Sequence, residues 1–199
     1  KLDGPVVMKL LSADVAHKSD IGAVKLRLEG EATVRQAYGD ILSAVNTAQP
    51  EARVEGVLVA PMLSGGVEII LGVISDNVFG PAVMVGLGGV FTEIFEDVTF
   101  RPAPFSSDEA KTMILSLKGA PLLLGARGQE PADIDALAEA MANLSRFAYD
   151  NAERINGIDI NPFVVLPKGQ GAVGLDAVIE LTDRKSTRLN SSHLVISYA

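Results

Sequence analysis

The sequence predicts an α+β fold, and three features of its order carry that prediction. Short runs rich in Val, Ile and Leu come in groups, helical periodicity stands between the groups rather than after every strand, and Gly, Pro, Asn and Asp mark the joins. Val6–Leu11 reads as a first strand, and residues 22–28 as a second in which Val24, Leu26 and Leu28 alternate with other residues. The polar segment 12–20 joins them. Val34, Tyr38, Ile41, Leu42 and Val45 then recur at helical spacing and predict an amphipathic helix. Strands are expected over 55–60, 66–75 and 82–87, separated by Pro61, by Ser64-Gly65-Gly66 and by the turn segment 77–81. Ser106 followed by Glu109 makes a capping box, and Ala110, Met113, Ile114 and Leu117 form the apolar stripe of the helix it opens. A longer helix follows Pro131, with Ile134, Leu137, Met141, Leu144 and Ala148 turned inward. Segments 155–161, 163–166 and 172–179 close the chain as strands.

Composition bounds the function. Of 199 residues 48% are apolar and 21% charged, enough buriable surface for one large or two small compact units. The formal net charge of −8 argues against a general phosphate-backbone binder, which needs a basic face, so no nucleic-acid partner is expected. There is no Cys, which removes disulfides, thiolate catalysis and zinc-thiolate sites. Gly, Pro, Asp or Glu interrupts every apolar stretch short of the ~20 residues needed to cross a bilayer, so no membrane partner is expected and a cytoplasmic protein is. Lys1 is not an initiator Met and a strand begins almost at once, so the chain reads as an N-terminally truncated fragment whose domain spans 1–182. Residues 183–199 begin polar and aperiodic, look like an adapter-derived read-through peptide, and are expected to be a disordered tail.

Four features have the residue types for chemistry. Lys9 lies inside an apolar strand, on the face it shares with Val7 and Leu11; it either meets a counter-charge, such as a nucleotide phosphate or an internal acid, or reaches solvent at an edge. The loop His17-Lys18-Ser19-Asp20-Ile21-Gly22 gathers an imidazole, an ammonium, a hydroxyl and a glycine free to take positive φ, and serves either as a polyphosphate cover or as a polar connection. Gly86-Leu87-Gly88-Gly89-Val90 lacks both the Walker A ending and the dinucleotide fingerprint, which leaves a tight turn or a close approach to a ligand. The last feature is the most specific. In Ile158-Asp159-Ile160-Asn161-Pro162 the two Ile share one strand face, while Asp159 and Asn161 share the other, roughly 6–7 Å apart. If 163–166 and 171–179 pair across the turn at Pro167-Lys168-Gly169-Gln170, Leu166 opposes Gly171, and five residues back along each arm Asn161 opposes Asp176. Two carboxylates and an amide on one sheet face are hard oxygen donors suited to Mg²⁺ carrying phosphates; the alternative is a hydrated face with incidental acids.

Taken together, Pro5-Val6-Val7-Met8-Lys9, Ala16-His17-Lys18-Ser19-Asp20-Ile21-Gly22, Glu55-Gly56-Val57-Leu58-Val59, Gly65-Gly66-Val67-Glu68-Ile69-Ile70-Leu71-Gly72, Gly80-Pro81 with Gly86-Leu87-Gly88-Gly89, and Asp159-Ile160-Asn161-Pro162 resemble the ATP-grasp domain of ADP-forming acetyl-CoA (acyl-CoA) synthetases, related to the β subunit of succinyl-CoA synthetase. The resemblance implies two α+β subdomains gripping ATP or ADP. It also implies roles: Lys9 as the phosphate-neutralising lysine, Lys18, Ser19, Asp20 and Gly22 as the phosphate-covering loop, Val59 and Met62 within the adenine hinge, Glu68 beside the nucleotide, and Asn161 and Asp176 as Mg²⁺ ligands. Asp159 stands where a Glu is usual, and Ala60 stands where succinyl-CoA synthetase has an acid. His17 matches the proposed phosphate relay, a role suited to an imidazole that is nucleophilic while neutral.

The implied chemistry is phosphoryl transfer between ADP or ATP and a phosphohistidine carried by CoA-binding and CoA-ligase domains or an α subunit, with acyl-CoA and phosphate turned over elsewhere. The competing reading is a regulatory nucleotide-binding module fused to a protein lysine acetyltransferase; retention of Lys9, Glu68, Asn161 and Asp176 favours catalysis. A carboxylate ligase of another ATP-grasp type is disfavoured, because those join an amine or thiol to an acyl phosphate within one chain.

Overall fold

Alternating burial along β1 (Val6–Leu11) organises the first of two units, Lys1–Ser64. The computed structural model describes residues 4–15, 18–63, 65–76, 78–89, 97–182 and 196–198. β1 is the centre of a three-stranded sheet, antiparallel to β2 (Val24–Leu28) on one side and β3 (Gly56–Pro61) on the other. Its Val6, Met8 and Leu10 are buried with Ala37, Ile41 and Val45 of helix α1 (Glu31–Ala48), whose spacing of four keeps one face on the sheet.

Two sequence expectations fail here for local reasons. The pairing of β2 with β1 steps three residues, Lys25 to Leu28, against two, Met8 to Val6, and Arg27 takes φ +55° within that bulge. The simple alternation of Val24, Leu26 and Leu28 is therefore broken: Leu28 is buried and Leu26 is 60% exposed. On α1, Tyr38 is 47% exposed, because the buried line runs through Ala37.

The second unit, Gly65–Ala199, is built on a seven-stranded antiparallel sheet. Its strands are β4 (Val67–Asp76), β5 (Gly80–Leu87), β6 (Val98–Pro102), β7 (Ile155–Val165), β8 (Ala172–Gly174), β9 (Ala177–Leu181) and β10 (Ile196–Tyr198). The order is β10-β8-β7-β4-β5-β6, with β9 also on β7. Helices α2 (Ser107–Ser116) and α4 (Ile134–Asp150) share one core with Ile69, Leu71, Val73, Val83, Val85 and Leu87 of the sheet, while α3 (Ala120–Leu123) is a single turn between them. The capping box forms as predicted: the Glu109 N–H donates to Ser106 Oγ at 3.3 Å and the Ser106 N–H to Glu109 Oε2 at 3.0 Å. Along α4, Leu137, Met141 and Ala148 are buried as the periodicity requires, and each large apolar side chain withdrawn from water stabilises the fold by about 1.5–3 kcal/mol.

Four differences concern the strands of this sheet. The expected break at Pro162 is absent; β7 runs through it, and proline is accommodated where the strand bulges. The expected strand over 172–179 divides into β8 and β9 around Leu175 and Asp176. Strand β6 was not expected at all. In the tail, read from sequence as disordered, Ile196–Tyr198 pairs antiparallel with Ala172–Gly174 of β8, whose outer edge offers backbone groups to any extended segment; residues 183–195 and 199 lie outside those described. Among the described residues no helix is long and apolar enough to cross a membrane.

Candidate functional site

The bulge in β7 decides which of its side chains face away from the core. Opposite Ile69 and Leu71 of β4, β7 uses Phe163 and Ile160, three residues against two. Ile158, Ile160, Phe163 and Val165 consequently all enter the core, while Asp159 and Asn161 stay exposed on the other face. The pairing predicted from the turn is the one observed: Leu166 N–H donates to Gly171 O at 3.0 Å, Val165, Val164 and Phe163 oppose Ala172, Val173 and Gly174, and Asn161 N–H donates to Asp176 O at 3.1 Å. Asn161 and Asp176 therefore stand opposite one another.

The same register continues into β9, where Val178 opposes Asp159 and Glu180 opposes Gly157. Asp159, Asp176 and Glu180 thus share the open face. Partial withdrawal from water raises the pKa of Asp159, and the neighbouring carboxylates of Asp176 and Glu180 raise it further. Among the described residues no three His, Cys, Asp or Glu side chains come together as a metal cage. The donor set on this face is instead Asn161 and Asp176 with acidic neighbours, all oxygen. That chemistry fits a hard divalent cation that takes its remaining ligands from phosphate and water. Glu180 escaped the sequence reading, although its i+4 spacing from Asp176 in an extended segment was the available signal.

Glu68 of β4 lies opposite Val164 and is exposed, so it belongs to the same open face. Its main chain is held by the glycine-rich stretch after β5. Gly88 N–H donates to Glu68 O at 2.7 Å, and a Cβ on Gly88 would come 2.9 Å from the Glu68 carbonyl carbon. Gly88 is required by the close approach of the protein's own backbone, which is the turn reading of this motif. Residues 90–96 lie outside those described.

The first unit carries the other predicted residues. Lys9 lies on the central strand, half-buried on the face of Val7 and Leu11 and opposite Val24 and Leu58, which removes the edge-lysine reading. Val59 pairs with Met8 and so takes the opposite sheet face from Lys9; the two side chains are not brought together. Met62 is half-buried, its N–H donating to Pro5 O at 2.9 Å. In the loop after β1, Lys18 is only 4% exposed while Ser19 and Asp20 are exposed, and the chain reverses through Gly22 N–H to Ser19 O at 3.0 Å with Gly22 at φ +72°. Lys18 is not without a partner, as its burial requires. His17 lies outside the described residues. The root of this loop is tied to the segment before β3: Asp14 accepts the Arg53 N–H at 2.9 Å and its Nε and Nη2 at 3.0 Å each, and these bonds bring the Asp14 pKa down to about 2.

A family model described as ATP-grasp domain matches residues 1–181, and the chain belongs to that family. It is 44% identical over 177 residues to the β subunit of ADP-forming acetate–CoA ligase II of Pyrococcus furiosus, covering 89% of this chain and 75% of that subunit. It is also 44% identical, over 88% of its length, to ADP-forming acetate–CoA ligase I of Archaeoglobus fulgidus, but spans only 25% of that protein. Among solved structures it resembles the dinucleotide-forming acetyl-coenzyme A synthetase 1 of Ca. Korarchaeum cryptofilum in complex with coenzyme A and Mg-AMPPCP, its phosphohistidine segment pointing towards the nucleotide-binding site. The TM-score is 0.76 and the identity 43%, over 89% of this chain and 76% of that one.

Proposed function

We propose that this chain is the nucleotide-binding portion of an ADP-forming acyl-CoA ligase, exchanging a phosphoryl group between ADP or ATP and a phosphohistidine on its CoA-ligase partner. The observation that carries the reading is the opposition of Asn161 and Asp176 on an open, acidic sheet face, in a chain whose relatives are such ligases. Asn161 and Asp176 would hold Mg²⁺ together with the nucleotide phosphates, Lys9 would neutralise phosphate charge, and the loop of Lys18, Ser19, Asp20 and Gly22 would form the cover over it. Glu68 stands beside the nucleotide, and Val59 and Met62 line the adenine hinge, where β3, an edge strand of its sheet, has main-chain groups to offer a base.

When bound, Mg²⁺ supplies charge neutralisation at the phosphates. The rest falls to the chain's own groups, which position and neutralise and form few covalent bonds. In the ADP-phosphorylating direction a terminal phosphate oxygen of ADP forms the new P–O bond as the P–N bond of the phosphohistidine breaks, and the imidazole nitrogen keeps the electron pair. If His17 relays the group, the same exchange occurs twice, first onto the His17 ring nitrogen and then onto ADP. The acyl and CoA sites belong to the partner, a division supported by the fused relative of which this chain spans a quarter.

The decisive test is Asp176→Ala. It abolishes Mg²⁺-dependent nucleotide binding by calorimetry while leaving the melting temperature of the free protein nearly unchanged; equal binding by the variant would remove the cation assignment.

A further inference from the structure

Asp133 has no part in the site described above, yet it is a carboxylate only 9% exposed. As the N-cap of α4 it needs one oxygen, and Oδ1 accepts the Ala136 N–H at 3.2 Å. The second oxygen does something else. Oδ2 accepts the N–H groups of Gly169 at 2.8 Å and Gly171 at 3.0 Å, residues 36 and 38 positions later, in the turn that joins β7 to β8. The neighbouring backbone follows the same track: Asp133 N–H donates to Leu166 O at 2.8 Å, Lys168 N–H donates to Pro131 O at 2.9 Å, and Ala132 bridges to Pro167.

That turn sets the register of the hairpin whose far end opposes Asn161 to Asp176. Because side chains alternate along a strand, a slip of one residue would set Leu175 or Ala177 against Asn161 and send Asp176 to the core side. We propose that Asp133 is a positioning residue for the cation site: by holding Gly169 and Gly171 through one oxygen it locks the β7–β8 register and keeps Asn161 and Asp176 face to face. The inference rests on the reading of Asn161 and Asp176 as cation ligands.

The test uses the full 199-residue chain. Asp133→Ser keeps a capping oxygen for α4 but has no second oxygen for the turn. Asp133→Asn caps as well as aspartate but turns an NH₂ toward the glycine N–H donors. Ser145→Ala is the control; this buried hydroxyl on the same helix hydrogen-bonds Phe105 and Ala142. Two quantities are read: Mn²⁺ affinity in the presence of ADP, by electron paramagnetic resonance, and hydrogen exchange at the Asn161 and Leu166 amides. Both Asp133 variants weaken Mn²⁺ binding by ~10-fold or more and speed exchange at the two amides, whereas Ser145→Ala lowers the melting temperature with affinity and exchange unchanged. Wild-type Mn²⁺ affinity in both Asp133 variants, or an equal loss in Ser145→Ala, overturns the inference. Asp176→Ala separates the two readings. If it binds Mn²⁺ with ADP as wild type does, the cation assignment fails, and the exchange rates alone decide whether Asp133 locks the register. If it loses binding while Asp133→Ser does not, only the positioning role fails.

Discussion

At Asp159 the fold opposes the ionisation of a carboxylate that it nevertheless leaves partly open to water. Burial comes first among the causes, then the charges of Asp176 and Glu180. A folded pKa above the unfolded value means that the folded state binds the proton more tightly. The cost is therefore absent below the ordinary carboxylate range, grows as pH rises from there through the raised pKa, and persists in full above it. Asp159→Asn accordingly raises the melting temperature at pH 7, by about 2 °C given the solvent screening at this site, and leaves it unchanged near pH 3. A gain of equal size at both pH values would show that repulsion between carboxylates is not its source. The same repulsion is what a divalent cation at Asn161 and Asp176 would relieve, so Mg²⁺ with nucleotide narrows the gap between the two proteins.

At the scale of the element, the hairpin that carries Asn161 and Asp176 was legible because turn position and strand parity are local. Once Leu166 opposes Gly171, every pair back to Asn161 follows. What was not legible arose from irregularities with no compositional signature. The β2 bulge at Arg27 turned Leu26 outward, and the β7 bulge let Pro162 stay inside a strand that sequence reasoning had ended there. Asp133 was missed because its second oxygen bonds a turn distant in sequence; only the cap half of its role is written locally. The glycine-rich stretch was ambiguous for a related reason, since whether Gly88 faces a ligand or its own chain depends on where β4 runs. Gly88→Ala tests the answer. The added Cβ would come 2.9 Å from the Glu68 carbonyl carbon and 3.0 Å from its oxygen, backbone contacts that cannot yield by a side-chain rotation. The substitution costs about 1–3 kcal/mol by denaturant titration and weakens nucleotide binding through displaced Glu68. A variant as stable as wild type would mean that β4 and the turn after β5 can separate freely.

At the scale of the molecule, each unit has its own hydrophobic cluster, one on β1 and α1 and one on the large sheet with α2 and α4, and the predicted site residues are divided between them. Lys9, Lys18 and the hinge residues belong to the first unit; Glu68, Asn161 and Asp176 belong to the second. The roles proposed for both sets are binding and charge neutralisation at the nucleotide, and none of these residues is assigned to making an acyl phosphate. On the proposed function, calorimetry with the 199-residue chain alone is expected to show binding of Mg²⁺ with ADP, and an assay with acetyl-CoA and phosphate is expected to yield no ATP. Adding the CoA-ligase subunit of an ADP-forming acetate–CoA ligase, phosphorylated on its histidine with ³²P, allows label to pass to ADP. In that mixture His17→Ala leaves ADP affinity within a few-fold and stops the transfer of label, because the imidazole is asked to carry the phosphoryl group and not to hold the nucleotide. Undiminished labelling of ADP by the variant would eliminate the relay while leaving nucleotide binding in place, whereas label failing to pass even with wild-type His17 would count against the ligase reading itself.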